Sequence, residues 1–291
     1  MLSSPWILAS RPRTLPAAIV PVLVGTALAE SIGSFQLLPA LICCAFSVLI
    51  QIGTNFANDY YDWKQGADTE TRIGPTRAVA SGLIAPQTMK RAATATLAVA
   101  FAVGLLLMIW GGWWLVAVGV LSVVSAIAYT AQPIALGYRG LGDLFVVGFF
   151  GIIAVGFTFY VQAGFFIWYI WPTGMCIGLL ANNLLVINNY RDRETDQLAG
   201  KRTLIVRLGP AFGEALVLTS IFLAIGLCLG FYLLGDCWLV LVAVPGLYPI
   251  YQAWQRMPRA LRRSGYGSLL KKASLGLVLF GVLFSLGILF S

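Results

Sequence analysis

Histidine is absent from this chain, which removes the side chain most often used as a general base and as a metal ligand. Charge is scarce too. Asp, Glu, Lys and Arg make up 10% of the 291 residues, against about 25% in a typical soluble domain. So few polar groups cannot cover a water-facing surface of this size. The five cysteines (Cys43, Cys44, Cys176, Cys228 and Cys237) lie mostly inside apolar runs and show no CxxC spacing. That argues against both a zinc site and a disulfide framework. A metal in this protein is therefore expected to be a hard cation held by carboxylate oxygen.

Apolar residues are abundant, at 59% of the chain. They fall in runs near the ~20 residues that cross a bilayer core as a helix. Backbone groups cannot stay unpaired in lipid, so helix is the default for such runs. The runs 14–30, 36–58, 88–110, 112–131, 141–162, 166–190, 211–233, 236–255 and 272–290 are predicted spans. The expected architecture is an all-α integral membrane bundle of about nine helices, one membrane domain over residues 1–291. Arg11 and Arg13 precede an apolar stretch with no convincing cleavage site after it, so this is a first spanning helix rather than a signal peptide. Gly104, Gly148, Gly151 and Gly156, inside predicted helices, are expected at ordinary close helix contacts.

Assigning loops to alternating sides separates the charges. The N-terminus and the loops after the second, fourth, sixth and eighth spans collect all 19 Lys and Arg, while the opposite side keeps Glu30 and Asp236. The positive-inside rule makes the basic side cytoplasmic. The net charge of +8 is then mainly a topology signal rather than the footprint of nucleic acid. Some of it, including the tail from Arg256 to Lys272, faces anionic lipid.

Two segments on that side, about 55–86 and 188–209, are too long and too charged to be mere connectors. Asn58-Asp59-Tyr60-Tyr61-Asp62 matches Asn188-Asn189-Tyr190-Arg191-Asp192, and each continues from an apolar helix. Asn58 and Asp62 stand four apart, as do Asn188, Asp192 and Asp196. On helix extensions each set shares a face. Two such faces gather several carboxylates, which repel one another unless a cation separates them. Mg²⁺ suits that role and completes its shell with phosphate oxygen. Asn58, Asp62, Asp68, Asn188, Asp192 and Asp196 are the metal candidates, and Asp59, Asp62, Asp192 and Asp196 the expected catalytic carboxylates. Arg11, Arg72, Arg77, Lys201 and Arg202 supply donors for a metal-bridged diphosphate. A secondary transporter is the competing reading, but it would place its charges near the bilayer midplane rather than at helix ends.

The motifs Arg11-Pro-Arg-Thr-Leu-Pro16, Asn55-Phe-Ala-Asn-Asp-Tyr-Tyr-Asp62, Arg72-Ile-Gly-Pro75, Gly140-Leu-Gly-Asp143, Asn188-Asn-Tyr-Arg-Asp192 and Asp196 run nearly end to end. Together they resemble the UbiA superfamily of intramembrane aromatic prenyltransferases. Gly66-Ala-Asp68-Thr69 and Gly200-Lys-Arg-Thr-Leu-Ile-Val-Arg-Leu-Gly209 resemble its naphthoate branch. Gly66 stands where the superfamily's general pattern has a further Asp, and Asp68 follows two residues later. The resemblance implies a bundle around a central cavity, capped on the cytoplasmic side by the two motif loops. It implies Mg²⁺ as cofactor, a polyprenyl diphosphate donor and 1,4-dihydroxy-2-naphthoate as acceptor, with loss of CO₂ and diphosphate to give demethylmenaquinol. It also implies the bacterial cytoplasmic (inner) membrane, and no obligatory protein partner is evident. Another aromatic acceptor, such as 4-hydroxybenzoate or homogentisate, is the alternative within the fold.

Asn55, Tyr129, Tyr138 and Asp143 are candidates for the acceptor or prenyl pocket. Asn55 equally suits a helix–helix hydrogen bond, and Asp143 equally suits the start of a helix, where its charge meets the dipole. Phe149, Phe150, Phe157, Tyr160 and Trp168 either line a prenyl channel or pack between helices and at the interface.

Overall fold

Hydrocarbon solvates no backbone, and among the described residues of the computed structural model every regular element is a helix. The structure describes residues 4–67, 74, 76–235, 237–259 and 263–291. The chain opens with α1 (Pro5–Ser10), a 3₁₀ turn (Pro12–Thr14) and α2 (Pro16–Glu30). These meet at a bend of 47°. The bend has a local cause. Arg11 adopts a left-handed backbone with φ 50°, and Pro12 and Pro16 each withhold the N–H that a continuous helix would use.

The helices that follow are α3 (Leu37–Lys64), α4 (Pro86–Gly111), α5 (Leu115–Ala128), α6 (Gly142–Ala163), α7 (Ile170–Leu198) and the short α8 (Leu204–Leu208). Then come α9 (Pro210–Gly235), α10 (Tyr248–Arg256) and α11 (Arg263–Leu289). A π-helical stretch, Gly148–Ile153, interrupts α6, and a 3₁₀ stretch, Trp238–Leu247, leads into α10.

This is an integral membrane protein; by helix length and composition alone, the described residues do not confirm the expected count of about nine spans. Helix occupies most of every predicted apolar run. Among the described residues, six helices are long and apolar enough to cross a membrane, or seven with the bent α1–α2 pair. The runs at 112–131 and 236–255 are the two that no long α-helix carries. The first holds only the 14-residue α5. The second opens as 10 residues of 3₁₀ helix with Pro245 inside it. At about 2.0 Å per 3₁₀ residue and 1.5 Å per α residue, that composite still reaches about 33 Å.

α7 is the axis of the bundle. In its apolar stretch 72% of the residues are buried inside the protein, against 22% for α3. It packs against α2, α6, α9 and α11. Glycine makes the α6–α7 approach: a Cβ on Gly151 would stand 2.3 Å from the Gly174 carbonyl, and one on Gly178 would stand 2.6 Å from the Val147 carbonyl. Gly104 abuts Phe46 and Gly156 has ordinary clearance, whereas Gly148 meets nothing within 4 Å. α3 and α7, at 28 and 29 residues, are each about 42 Å long, so about two turns outreach a ~30 Å hydrocarbon core. The Asp-bearing sequences sit on those surplus turns.

Candidate active site

The last turns of α3 and α7 face each other across the mouth of a cavity of about 690 Å³. Its polar end is lined by Asn58, Asp62, Arg77, Asn188, Asp192, Asp196 and Lys201. It runs down to an apolar depth walled by Val22, Cys43, Phe46, Val118, Phe157 and Val161. One end suits a charged group and the other a hydrocarbon.

Asp62 is buried and held from three directions. Its carboxylate accepts the Tyr138 hydroxyl at 2.8 Å and Arg77 Nη2 at 2.9 Å, and Lys201 Nζ lies 3.3 Å away. Lys201 also reaches Asp196 at 3.8 Å and stands 4.6 Å from the Tyr138 ring centroid. One ammonium therefore ties the first Asp segment to the second. The local fold puts it there. α7 ends at Leu198, Gly200 takes φ 74°, and the Lys201 N–H turns back to the Asp196 carbonyl at 2.8 Å. A left-handed glycine after a helix allows this reversal.

Asp59 has a different task. Its oxygens accept the backbone N–H groups of Ala78 and Val79 at 3.2 and 3.1 Å. This clasps the 76–82 segment onto α3 and delivers Arg77 to Asp62. Asp192 is gripped by its neighbour Arg191 through two bonds of 2.7 and 2.6 Å. Asn58 accepts the Thr130 hydroxyl. Asn55 donates to the Ser10 carbonyl at 2.9 Å and to Thr14 Oγ1 at 3.2 Å, fastening the N-terminal bend beside the cavity.

Most of the sequence candidates converge here. Arg11, Asn55, Asn58, Asp59, Asp62, Arg77, Tyr129, Tyr138, Asn188, Asp192, Asp196 and Lys201 all line the cavity, as do Phe149, Phe150 and Phe157. Asp68 and Arg72 lie outside the described residues. Asp143 does not reach the cavity wall, because its carboxylate accepts Asn182 Nδ2 at 2.9 Å across the α6–α7 interface. Arg202 lines a separate pocket. Tyr160 stacks on Phe166 instead, with centroids 4.8 Å apart. Thr130, Asn189 and Arg191 also line the cavity, beyond the candidates read from the sequence. Arg191 carried a signal, being adjacent to Asp192 in the repeated motif. Thr130 carried none.

Among the described residues no three acidic, Cys or His side chains form a ready metal cluster. That arrangement still suits Mg²⁺, which keeps several waters and needs only one or two carboxylates plus substrate phosphate. The donors on hand include carboxylate and amide oxygens, with Lys or Arg charge against Asp62, Asp192 and Asp196.

Residues 18–275 match the UbiA prenyltransferase family. The chain is 38% identical over 304 residues to the 1,4-dihydroxy-2-naphthoate octaprenyltransferase of Escherichia coli (strain K12), with 98% of this chain and 95% of that one covered. It superposes on the apo structure of a UbiA homolog from Aeropyrum pernix K1 with a TM-score of 0.69 at 18% identity, covering 94% and 96% of the two chains. A UbiA homolog from Archaeoglobus fulgidus bound to DMAPP and Mg²⁺ superposes with a TM-score of 0.60 at 16% identity, covering 96% and 100%.

Proposed function

The chain belongs to the UbiA prenyltransferase family, and on that premise we propose that it transfers a polyprenyl group from a polyprenyl diphosphate to 1,4-dihydroxy-2-naphthoate. CO₂ and diphosphate are lost and a demethylmenaquinol is formed. The observation that carries this reading is the meeting of two Asp-bearing helix ends, joined through Lys201, over a cavity that turns apolar with depth. The acceptor assignment rests on the likeness to the Escherichia coli enzyme.

Arg77, Lys201 and Arg11 bind the diphosphate oxygens and stabilise the charge that gathers on them as the allylic C–O bond breaks. Asp62, Asp192 and Asp196, with the amides of Asn58 and Asn188, would hold Mg²⁺. When bound, that ion neutralises the diphosphate and makes it a better leaving group. Asp59 acts through the 76–82 segment, keeping Arg77 in place. The bond pair leaves with the diphosphate. The acceptor carbon that bears the carboxyl group supplies the pair for the new C–C bond, and loss of CO₂ restores aromaticity. Rings of the cavity wall, Tyr129 and Phe149 among them, would present π faces to the developing allylic cation. The walls keep water from it. The acceptor's own hydroxyls activate its ring, so no strong base is needed, in keeping with a chain that has no histidine.

The Lys and Arg distribution supports a cytoplasmic N-terminus and cytoplasmic motif loops, and the likeness to the Escherichia coli enzyme supports a bacterial inner membrane. Purified protein incubated with Mg²⁺, 1,4-dihydroxy-2-naphthoate and diphosphates of several lengths should yield prenylated, decarboxylated naphthols by mass. EDTA should abolish the yield and added Mg²⁺ restore it. Prenylation of 4-hydroxybenzoate alone would overturn the acceptor assignment.

A further inference from the structure

We propose that the side-chain carbonyls of Gln51 and Asn55, inside the central cavity, receive the 4-hydroxyl of the aromatic acceptor and so set which way its ring faces. The inference rests on the transferase reading above and deepens it.

Gln51 and Asn55 stand four apart on α3, so they share a face. Both line the cavity, yet they are only 8% and 3% exposed. Thr14 holds both amides from behind. Its hydroxyl donates to the Arg11 carbonyl at 3.0 Å. With its one hydrogen used, the Thr14 oxygen can only accept. It accepts Gln51 Nε2 at 2.9 Å and Asn55 Nδ2 at 3.2 Å, and Asn55 Nδ2 also donates to the Ser10 carbonyl at 2.9 Å. Thr14 therefore fixes which end of each amide is the nitrogen. The nitrogens face the N-terminal bend and the carbonyl oxygens are left over.

Those oxygens lack a donor. Among the described residues nothing donates to Gln51 Oε1 or Asn55 Oδ1, and neither atom is sealed inside the packing. Nearby hydroxyls on α3 point elsewhere, Ser47 to the Ala18 carbonyl at 2.9 Å and Thr54 to the Ile50 carbonyl at 2.7 Å. Unmatched acceptors in a cavity with apolar walls are unfavourable until a donor arrives. Fastening the bend requires the two nitrogens. It does not account for two oxygens held side by side toward the cavity.

The oxygens choose among the reactants. A prenyl tail has no hydrogen to donate, and an ionised diphosphate or carboxylate offers lone pairs only. A ring hydroxyl donates. In 1,4-dihydroxy-2-naphthoate the 1-hydroxyl lies beside the carboxylate and bonds to it internally. The 4-hydroxyl, across the ring, is left for the amides. The depth agrees. At about 1.5 Å per residue, Asn55 and Gln51 stand about 4.5 Å and about 10.5 Å below Asn58 along α3. With the 4-hydroxyl held there, the carboxylate turns up toward Arg77 and Lys201 at the mouth. The carbon that bears it then faces the allylic carbon of the donor.

The test is equilibrium binding to purified protein, under argon and without donor or Mg²⁺. The probes are 1,4-dihydroxy-2-naphthoate, 1-hydroxy-2-naphthoate and 1-hydroxy-4-methoxy-2-naphthoate. The second lacks the 4-hydroxyl, and the third keeps that oxygen without its hydrogen. Wild type should bind the dihydroxy compound at least about tenfold more tightly than either analogue, since a site built for a hydroxyl rejects a ligand that leaves its acceptors unpaired. Gln51→Met keeps the length of the side chain and removes the carbonyl. It should cut the preference over 1-hydroxy-2-naphthoate at least about threefold, by weakening the dihydroxy compound alone. A merely structural loss would weaken both alike. In turnover the KM for the naphthoate should rise and the KM for the donor should not. Should Gln51→Met fail to insert, the wild-type comparison with the methoxy analogue decides. A methoxy analogue bound as tightly as the dihydroxy compound overturns the proposal, and so does a Gln51→Met protein that keeps the wild-type preference. Because these binding measurements need no transfer, a wild type that fails to prenylate naphthoate would sink the proposed reaction, while the affinities would still decide whether the two carbonyls take a hydroxyl.

Discussion

Asp62 and Asp59 lie one helical turn apart, yet their surroundings separate their roles. Asp62 faces Arg77, Lys201 and Tyr138, all of which can turn to a bound diphosphate. Asp59 spends its oxygens on two backbone N–H groups. Asp62→Ala should abolish transfer. It should also lower stability by about 3 kcal/mol, because buried cations lose their partner. Thermal unfolding in detergent, alongside the rate, measures both. Asp59→Asn should cost about 1–3 kcal/mol, since an amide cannot accept both N–H groups, and should raise the KM for the donor while leaving measurable turnover. A dead Asp59→Asn protein with an unshifted unfolding midpoint would make Asp59 a direct ligand. The four-residue spacing in the sequence placed Asn58 and Asp62 on one face, and both line the cavity. It carried no trace of Asp59's duty. That duty depends on Ala78 and Val79 returning from a loop, and a long-range backbone bond leaves no periodic signature.

Among helices, the α6–α7 contact is the most exacting. Gly151, Gly174 and Gly178 bring the two backbones together without side chains between them, at the π-helical stretch of α6. Gly178→Ala should push the helices apart, lowering the unfolding midpoint markedly, as overpacking a tight contact costs about 1–3 kcal/mol. Gly148→Ala, with nothing within 4 Å, should unfold near the wild-type temperature. If the two substitutions prove equally costly, the close approach is not what holds these helices. The sequence placed Gly148 and Gly151 in the same predicted run and treated them alike. Composition tells that small residues are present, but only the rotation of a helix about its axis decides which of them meet a neighbour.

For the whole molecule, the apolar runs and the one-sided Lys and Arg made the helical membrane bundle legible in the sequence alone. The helix type within each run was not, because hydropathy registers an apolar run and is blind to whether it coils as α or 3₁₀. The unequal burial of α3 and α7 has a mechanical consequence. One Asp segment rides on a helix encased by its neighbours, the other on a helix whose side chains are less buried and partly line the cavity. The expectation is that the first acts as a stator and the second as a jaw whose height answers to the surrounding lipid. A mismatch between helix and bilayer costs only fractions of a kcal/mol per Å, enough to shift how often the jaw meets the stator. Reconstituted into phosphatidylcholines of increasing acyl length, the enzyme should show an activity maximum at one thickness, while its unfolding temperature changes little. A flat profile would mean that the two helix ends move as one. If the maximum is found, the thickness of the membrane joins the solutes as a condition that sets the rate of this enzyme.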